Sequence, residues 1–120
     1  MNYDKNNIFF HILNGEMPCE KVYEDDDVLA FYDIEPVAKI HVIVIPKGHY
    51  MNMDHFCSEA QDQEILSLFR AVPEIAKTLG IEKSGYRLIS NCGTDGGQEV
   101  PHLHLHMLAG EDIGALRSRK

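Results

Sequence analysis

The apolar positions along this chain change period several times, and each change marks an element. Ile8 to Leu13, followed by Asn14-Gly15 and Pro18, predicts a short helix with a sharp stop. Lys21–Glu24 and Val28–Tyr32 read as two strands joined by a turn at the acidic run Glu24–Asp27. Ile40–Ile45 is a third, β-branched strand that Pro46 and Gly48 end. Helical spacing then takes over: Ile65, Leu68, Phe69, Val72, Ile75, Ala76 and Leu79 share one face. Ser58 with Gln61 three residues on fits a capping box, and Gly80 is a stop. One long helix over 58–79 is therefore expected, bent at Pro73, which removes a donor and crowds the preceding turn. Tyr86–Asn91 is a fourth strand, Cys92–Val100 a loop, and His102–Leu108 the last strand. Strands, a long helix, then strands again predict an α+β domain over 1–120, with a roughly five-stranded antiparallel sheet and two helices.

The last strand carries the chemistry. His102, His104 and His106 alternate with Leu103, Leu105 and Met107, so period two sends the imidazoles to one face and the apolar side chains to the core. A strand rise of about 3.3 Å puts neighbouring histidines roughly 6.6 Å apart at the backbone. A neutral imidazole is nucleophilic at physiological pH and holds a phosphoryl group through a labile N–P bond. Such a step needs a neighbour that fixes the tautomer and donors aimed at the non-bridging oxygens. The preceding loop, Asn91-Cys92-Gly93-Thr94-Asp95-Gly96-Gly97-Gln98, has the glycines that let backbone N–H groups approach an anion. Chemistry on a phosphate ester or phosphoramidate is the expectation. Two other readings stay open at this point. The histidines could form a plain polar strand face, or two of them, with His41, could hold a metal ion. No carboxylate or cysteine stands at matching spacing beside them, which weighs against the metal.

Composition narrows the partners. Lys and Arg total 11 against 19 Asp and Glu, a net charge of −8, which argues against broad binding to nucleic acid or anionic lipid. A phosphate site here must rely on backbone N–H groups and histidines. No stretch approaches the roughly 18 apolar residues of a membrane span, and the first residues lack a signal-peptide core. Cys19, Cys57 and Cys92 are odd in number and form no CxxC, so free thiols in a reducing cytoplasm are expected.

With these residues in view, the chain resembles a histidine-triad (HIT) protein of the Hint branch, the nucleoside phosphoramidate hydrolases. Residues 102–108 match the signature His-φ-His-φ-His-φ-φ, with φ apolar, at every position. The likeness runs from about Ile8 to Gly110 and includes Phe31–Pro36, His41–His49, Gly85-Tyr86-Arg87, Asn91 and Asp95–Gln98. It implies the HIT fold, a homodimer with a continuous sheet, and no cofactor. It implies that His104 is the nucleophile, flanked by His102 and His106 and supported by His41. Asp33 would accept from the ribose hydroxyls, with Ile34 and Phe9 near the base. Asn91, Gly97, Gln98 and the backbone at Glu99–Val100 would surround the α-phosphate.

The activity this implies is hydrolysis of a purine nucleoside 5′-phosphoramidate, or an aminoacyl adenylate, to the monophosphate, with no metal required. Dinucleoside polyphosphate hydrolysis and a nucleotide-binding adaptor are the alternatives. Three departures stand out. Asn7 and Phe10 occupy places where some relatives carry zinc-binding cysteines, so that zinc site is expected to be absent. Glu99 stands where some relatives have a serine, and the segment from Glu111 to Lys120 lacks a tryptophan found in others.

Overall fold

A computed structural model describes residues 2–117 of the chain. Three helices and five strands run in the order α1 (Ile8–Leu13), β1 (Lys21–Glu24), β2 (Val28–Tyr32), β3 (Ile40–Pro46), α2 (Met53–Glu59), α3 (Asp62–Leu79), β4 (Arg87–Ser90) and β5 (Leu105–Ala109). The strands form one antiparallel sheet in the order β1-β2-β3-β5-β4. The expected α+β architecture and five-stranded antiparallel sheet are present.

The pleat splits the sheet's side chains between two unequal layers. Val28, Ala30, Val42, Val44, Leu105, Met107 and Ala109 face α3, whose Leu68, Ala71, Val72, Ile75 and Ala76 close the larger core. Leu29, Phe31, Ile43 and Ile45 point the other way, against Phe9, Ile12 and Leu13 of the six-residue α1. The first face is roofed by an 18-residue helix and the second only at one end. The thinly covered face is where the histidines lie.

Two expectations need correction. The helix expected over 58–79 is two helices, which raises the count from two to three. Ser58 sits in the last turn of α2 rather than at a start, and Gln61, the N-cap of α3, makes no side-chain capping bond. The cap of α2 is Asn52, whose Oδ1 accepts from the His55 N–H at 2.9 Å. Ala60 and Gln61 are extended and separate the two helices. The predicted glycine stop is present: Gly80 is left-handed at φ 71° and its N–H reaches the Ala76 and Lys77 carbonyls. Pro73 lies within α3 without ending it, on an exposed face where water can serve the freed Phe69 carbonyl.

The last strand begins at Leu105, not at His102. Its register against β3 pairs Val44 with Leu105, so Leu103 would fall opposite Pro46, which has no N–H to offer the ladder. Leu103 N–H donates instead to the Tyr50 carbonyl at 2.7 Å. The alternation nevertheless persists through this irregular segment. Leu103, Leu105 and Met107 are buried in the larger core, as period two required.

Candidate active site

The fold brings four imidazoles together on the thinly covered face. His41 enters from β3 and His106 from β5, while His102 and His104 come from the segment leading into β5. The rings of His104 and His106 lie 5.0 Å apart, those of His41 and His106 5.1 Å. Phe9 of α1 stands edge-on to His104 at 4.9 Å, so the helix that covers this face also packs the central histidine. A plain solvent-facing strand is excluded, because His41, His102 and His104 are buried and His106 is half-buried.

The main chain assigns the tautomers. A carbonyl only accepts, so His104 Nδ1, 2.7 Å from the His102 carbonyl, carries the proton. His104 Nε2 is therefore left with its lone pair. His102 Nε2 donates to the Pro46 carbonyl at 2.9 Å, which makes its Nδ1 an acceptor. His41 Nδ1 accepts from the Val37 N–H at 3.1 Å, so its Nε2 carries the proton and donates to His106 Nδ1 at 2.9 Å. His106 Nε2 then carries a proton. One face holds a nucleophilic nitrogen and, on the next ring, an N–H donor.

These tautomers require neutral rings, and burial supplies them. Desolvation pushes His102 and His106 down to about 4, His106 being lowered further by His104 and His41. His104 and His41 are also lowered chiefly by burial. Asp33 opposes the shift at both, and the His102 carbonyl and Glu99 oppose it at His104.

Asp33 follows β2 and stands at the edge of the cluster. Its Oδ1 accepts from the Glu35 N–H at 2.8 Å, and its Oδ2 lies 3.5 Å from His41 Nε2. Asp33, His41 and His106 place one ligand atom each within 4.8 Å of one another, a set able to hold a divalent cation. Sequence spacing found no carboxylate beside the triad; the β2–β3 connection supplies one through space. Ile34 is 83% exposed at the rim, whereas Phe9 is buried.

The loop residues are organised by their own side chains. Gln98 Nε2 donates to the Met51 and Val100 carbonyls, at 2.6 and 3.0 Å, and its Oε1 accepts from the Gly93 N–H at 3.1 Å. Asn91 Nδ2 donates to the Gly96 carbonyl at 2.6 Å. Gly97 adopts φ 75°, a conformation that favours glycine. The Asn91 and Gln98 amides thus shape the loop. The Glu99 and Val100 N–H groups have no acceptor among the described residues, which leaves them able to meet an anion. Glu99 is exposed.

Two partners of the cluster escaped the sequence reading. Tyr3 lies against His102, its hydroxyl 2.5 Å from His102 Nδ1, and Asn7 Nδ2 donates to that hydroxyl at 2.9 Å. Asn7 was legible as a helix cap, since Ile8 begins an apolar-periodic run, but nothing in the local pattern singles out Tyr3.

Comparison with known proteins identifies the family. The HIT domain matches residues 14–113. An uncharacterized HIT-like protein of Azospirillum brasilense is 54% identical over 95% of this chain and 93% of its own length. The purine nucleoside phosphoramidase of Escherichia coli K12 is 38% identical, with 94% of each chain covered. Among solved structures, a histidine triad protein from Clostridium difficile superposes with a TM-score of 0.84 at 44% identity, covering 98% of this chain and all of its own. The sheet order, the four clustered imidazoles and these matches lead to one conclusion: this chain belongs to the HIT domain family.

Proposed function

We propose that this chain hydrolyses purine nucleoside 5′-phosphoramidates, or aminoacyl adenylates, to the nucleoside monophosphate through a nucleotidyl–His104 intermediate. The observation that carries this reading is the His104 Nδ1–H bond to the His102 carbonyl, which frees Nε2 for attack on phosphorus. In the first step the Nε2 lone pair forms the N–P bond as the bond from phosphorus to the leaving group breaks: the amine of a phosphoramidate departs with a proton taken from solvent, and the amino acid of an adenylate departs as its carboxylate. In the second step water attacks the same phosphorus, returns the electron pair to Nε2 and loses a proton to solvent. The His106 Nε2–H and the Glu99 and Val100 N–H groups stabilise the charge on the non-bridging oxygens. Asp33 Oδ2 accepts from the ribose, with Phe9 and Ile34 beside the base. The phosphoramidase named among the relatives supports the choice of leaving group.

A homodimer belongs to the same reading. β4 is a sheet edge with Tyr86 and Leu88 exposed, which suits pairing with a second copy, and light scattering should return twice 13.6 kDa.

The test is turnover of an adenosine phosphoramidate, an aminoacyl adenylate and a dinucleoside tetraphosphate, each with and without chelator. With labelled substrate, a quench in alkaline denaturant, which spares the acid-labile N–P bond, should leave label on the wild-type protein and none on His104→Ala. Normal turnover by His104→Ala would end this mechanism. Activity that chelation abolishes would transfer the chemistry to a cation at Asp33, His41 and His106.

A further inference from the structure

His102 is fully buried, so both ring nitrogens need partners. Nε2 uses the Pro46 carbonyl; Nδ1 faces the Tyr3 hydroxyl, 99 residues away in sequence. The direction of that bond follows from its neighbours. Asn7 Oδ1 accepts from the Phe10 N–H, which identifies its other atom as the amide nitrogen, and that nitrogen donates to the Tyr3 oxygen at 2.9 Å and to the Asp4 carbonyl at 2.7 Å. With its oxygen accepting from Asn7, the Tyr3 hydroxyl sends its proton to His102 Nδ1. The ring of Tyr3 is seated independently, stacked on His49 at 4.8 Å and edge-on to His102 at 5.6 Å.

We propose that Tyr3 is a positioning residue for the reaction: held by Asn7, it locks His102 against the Pro46 carbonyl and so holds the backbone carbonyl that assigns the tautomer of His104. Three bonds in series carry the effect, from Asn7 to Tyr3, from Tyr3 to His102, and from His104 Nδ1 to the His102 carbonyl. Tyr3 touches neither the reacting atoms nor His104. Burial pushes its phenol up, which keeps the proton it must donate. The segment before α1 is therefore part of the catalytic frame, although it lies at the far end of the chain.

The kinetic arm of the test rests on the proposed hydrolysis; the spectroscopic arm does not. Tyr3→Phe keeps the ring, its stack on His49 and its packing on His102, and removes only the hydroxyl that donates to His102 and accepts from Asn7. The imidazole nitrogens of ¹⁵N-histidine-labelled protein report each tautomer directly. In Tyr3→Phe the His102 Nδ1 resonance should move away from its hydrogen-bonded position, and His104 should shift from a single Nδ1–H form to a mixture. With an adenosine phosphoramidate, kcat should fall about tenfold while KM stays within about twofold. Asn7→Ser keeps a capping oxygen for α1 and removes the amide that orients Tyr3. It should show the same spectral change in part, with a smaller fall in kcat. Unchanged His104 resonances in Tyr3→Phe would overturn the proposal, as would equal losses of stability, monophosphate affinity and kcat, the mark of a merely structural tie. If the wild-type protein turned over no phosphoramidate, the functional reading would fail, and the resonances would still decide the role of Tyr3.

Discussion

At the scale of single residues, the alternation of histidine and apolar positions over 102–107 was readable because burial on one side and chemistry on the other obey the same period. What period cannot convey is which atom of each ring is occupied. That depends on a carbonyl of His102, a carbonyl of Pro46 and an amide of Val37, none of which has a sequence signature. Asp33 illustrates the gain from geometry. Its Oδ1 is engaged by the Glu35 N–H, so the proposed function gives the ribose to Oδ2. Charge-assisted bonds to hydroxyls are worth about 1.5–3 kcal/mol, so Asp33→Asn should raise KM for a ribonucleotide by more than about tenfold. The 2′-deoxy substrate should lose much less, and steady-state kinetics on the two sugars checks the difference. Glu99 follows Gln98 at an exposed position close enough to oppose the lowering of His104. Its charge should penalise a polyphosphate more than a phosphoramidate. Glu99→Ser should then shift the ratio of kcat/KM toward the tetraphosphate, and more so at low salt than at high salt.

At the scale of elements, α1, β1 and β2 fall at their expected limits, whereas β5 starts three residues late and the helix expected over 58–79 is broken in two. β1 and β2 are legible because the acidic run Glu24–Asp27 turns the chain between them. The break between α2 and α3 was hidden by Ser58 and Gln61, whose spacing imitates a capping box. The better signals were Asn52 before α2, and Asp62 and Glu64 in the first turn of α3, where acidic side chains favour the N-terminal dipole. The two assignments differ in consequence. Asn52→Ala should lower stability by about 1 kcal/mol, whereas Ser58→Ala, in an exposed last turn, should stay within about 0.5 kcal/mol. Urea denaturation of both variants measures the difference. The late start of β5 has a cause of the same local kind. Pro46 ends the partner strand by withholding an N–H, and that irregularity lets His102 and His104 turn their rings onto main-chain groups.

At the scale of the molecule, one sheet serves two tasks. The face under α3 holds the larger core, while the other face spends four positions on imidazoles kept uncharged by burial. Their folded pKa values lie below the unfolded value near 6.5, so the unfolded chain binds more protons in the interval between. The resulting stability is complete above about pH 6.5 and is lost as pH falls toward the folded values, which are about 4 for His102 and His106. Thermal denaturation should show Tm falling by on the order of 5–10 °C between pH 7 and pH 5. A double His102→Gln, His106→Gln variant should have a lower Tm at pH 7 and a flatter dependence on pH.

The Gln98 amide, shared between Met51 and Val100 and gripping Gly93 through its oxygen, bears on how two segments of the chain can move. It fastens the glycine-rich loop to the chain that leads into α2. Loosening either side breaks the same small set of bonds, so the loop and the 48–52 segment form a single cooperative opening unit. Amide hydrogen exchange should therefore be slow in both segments together, and Gln98→Ala should release both at once.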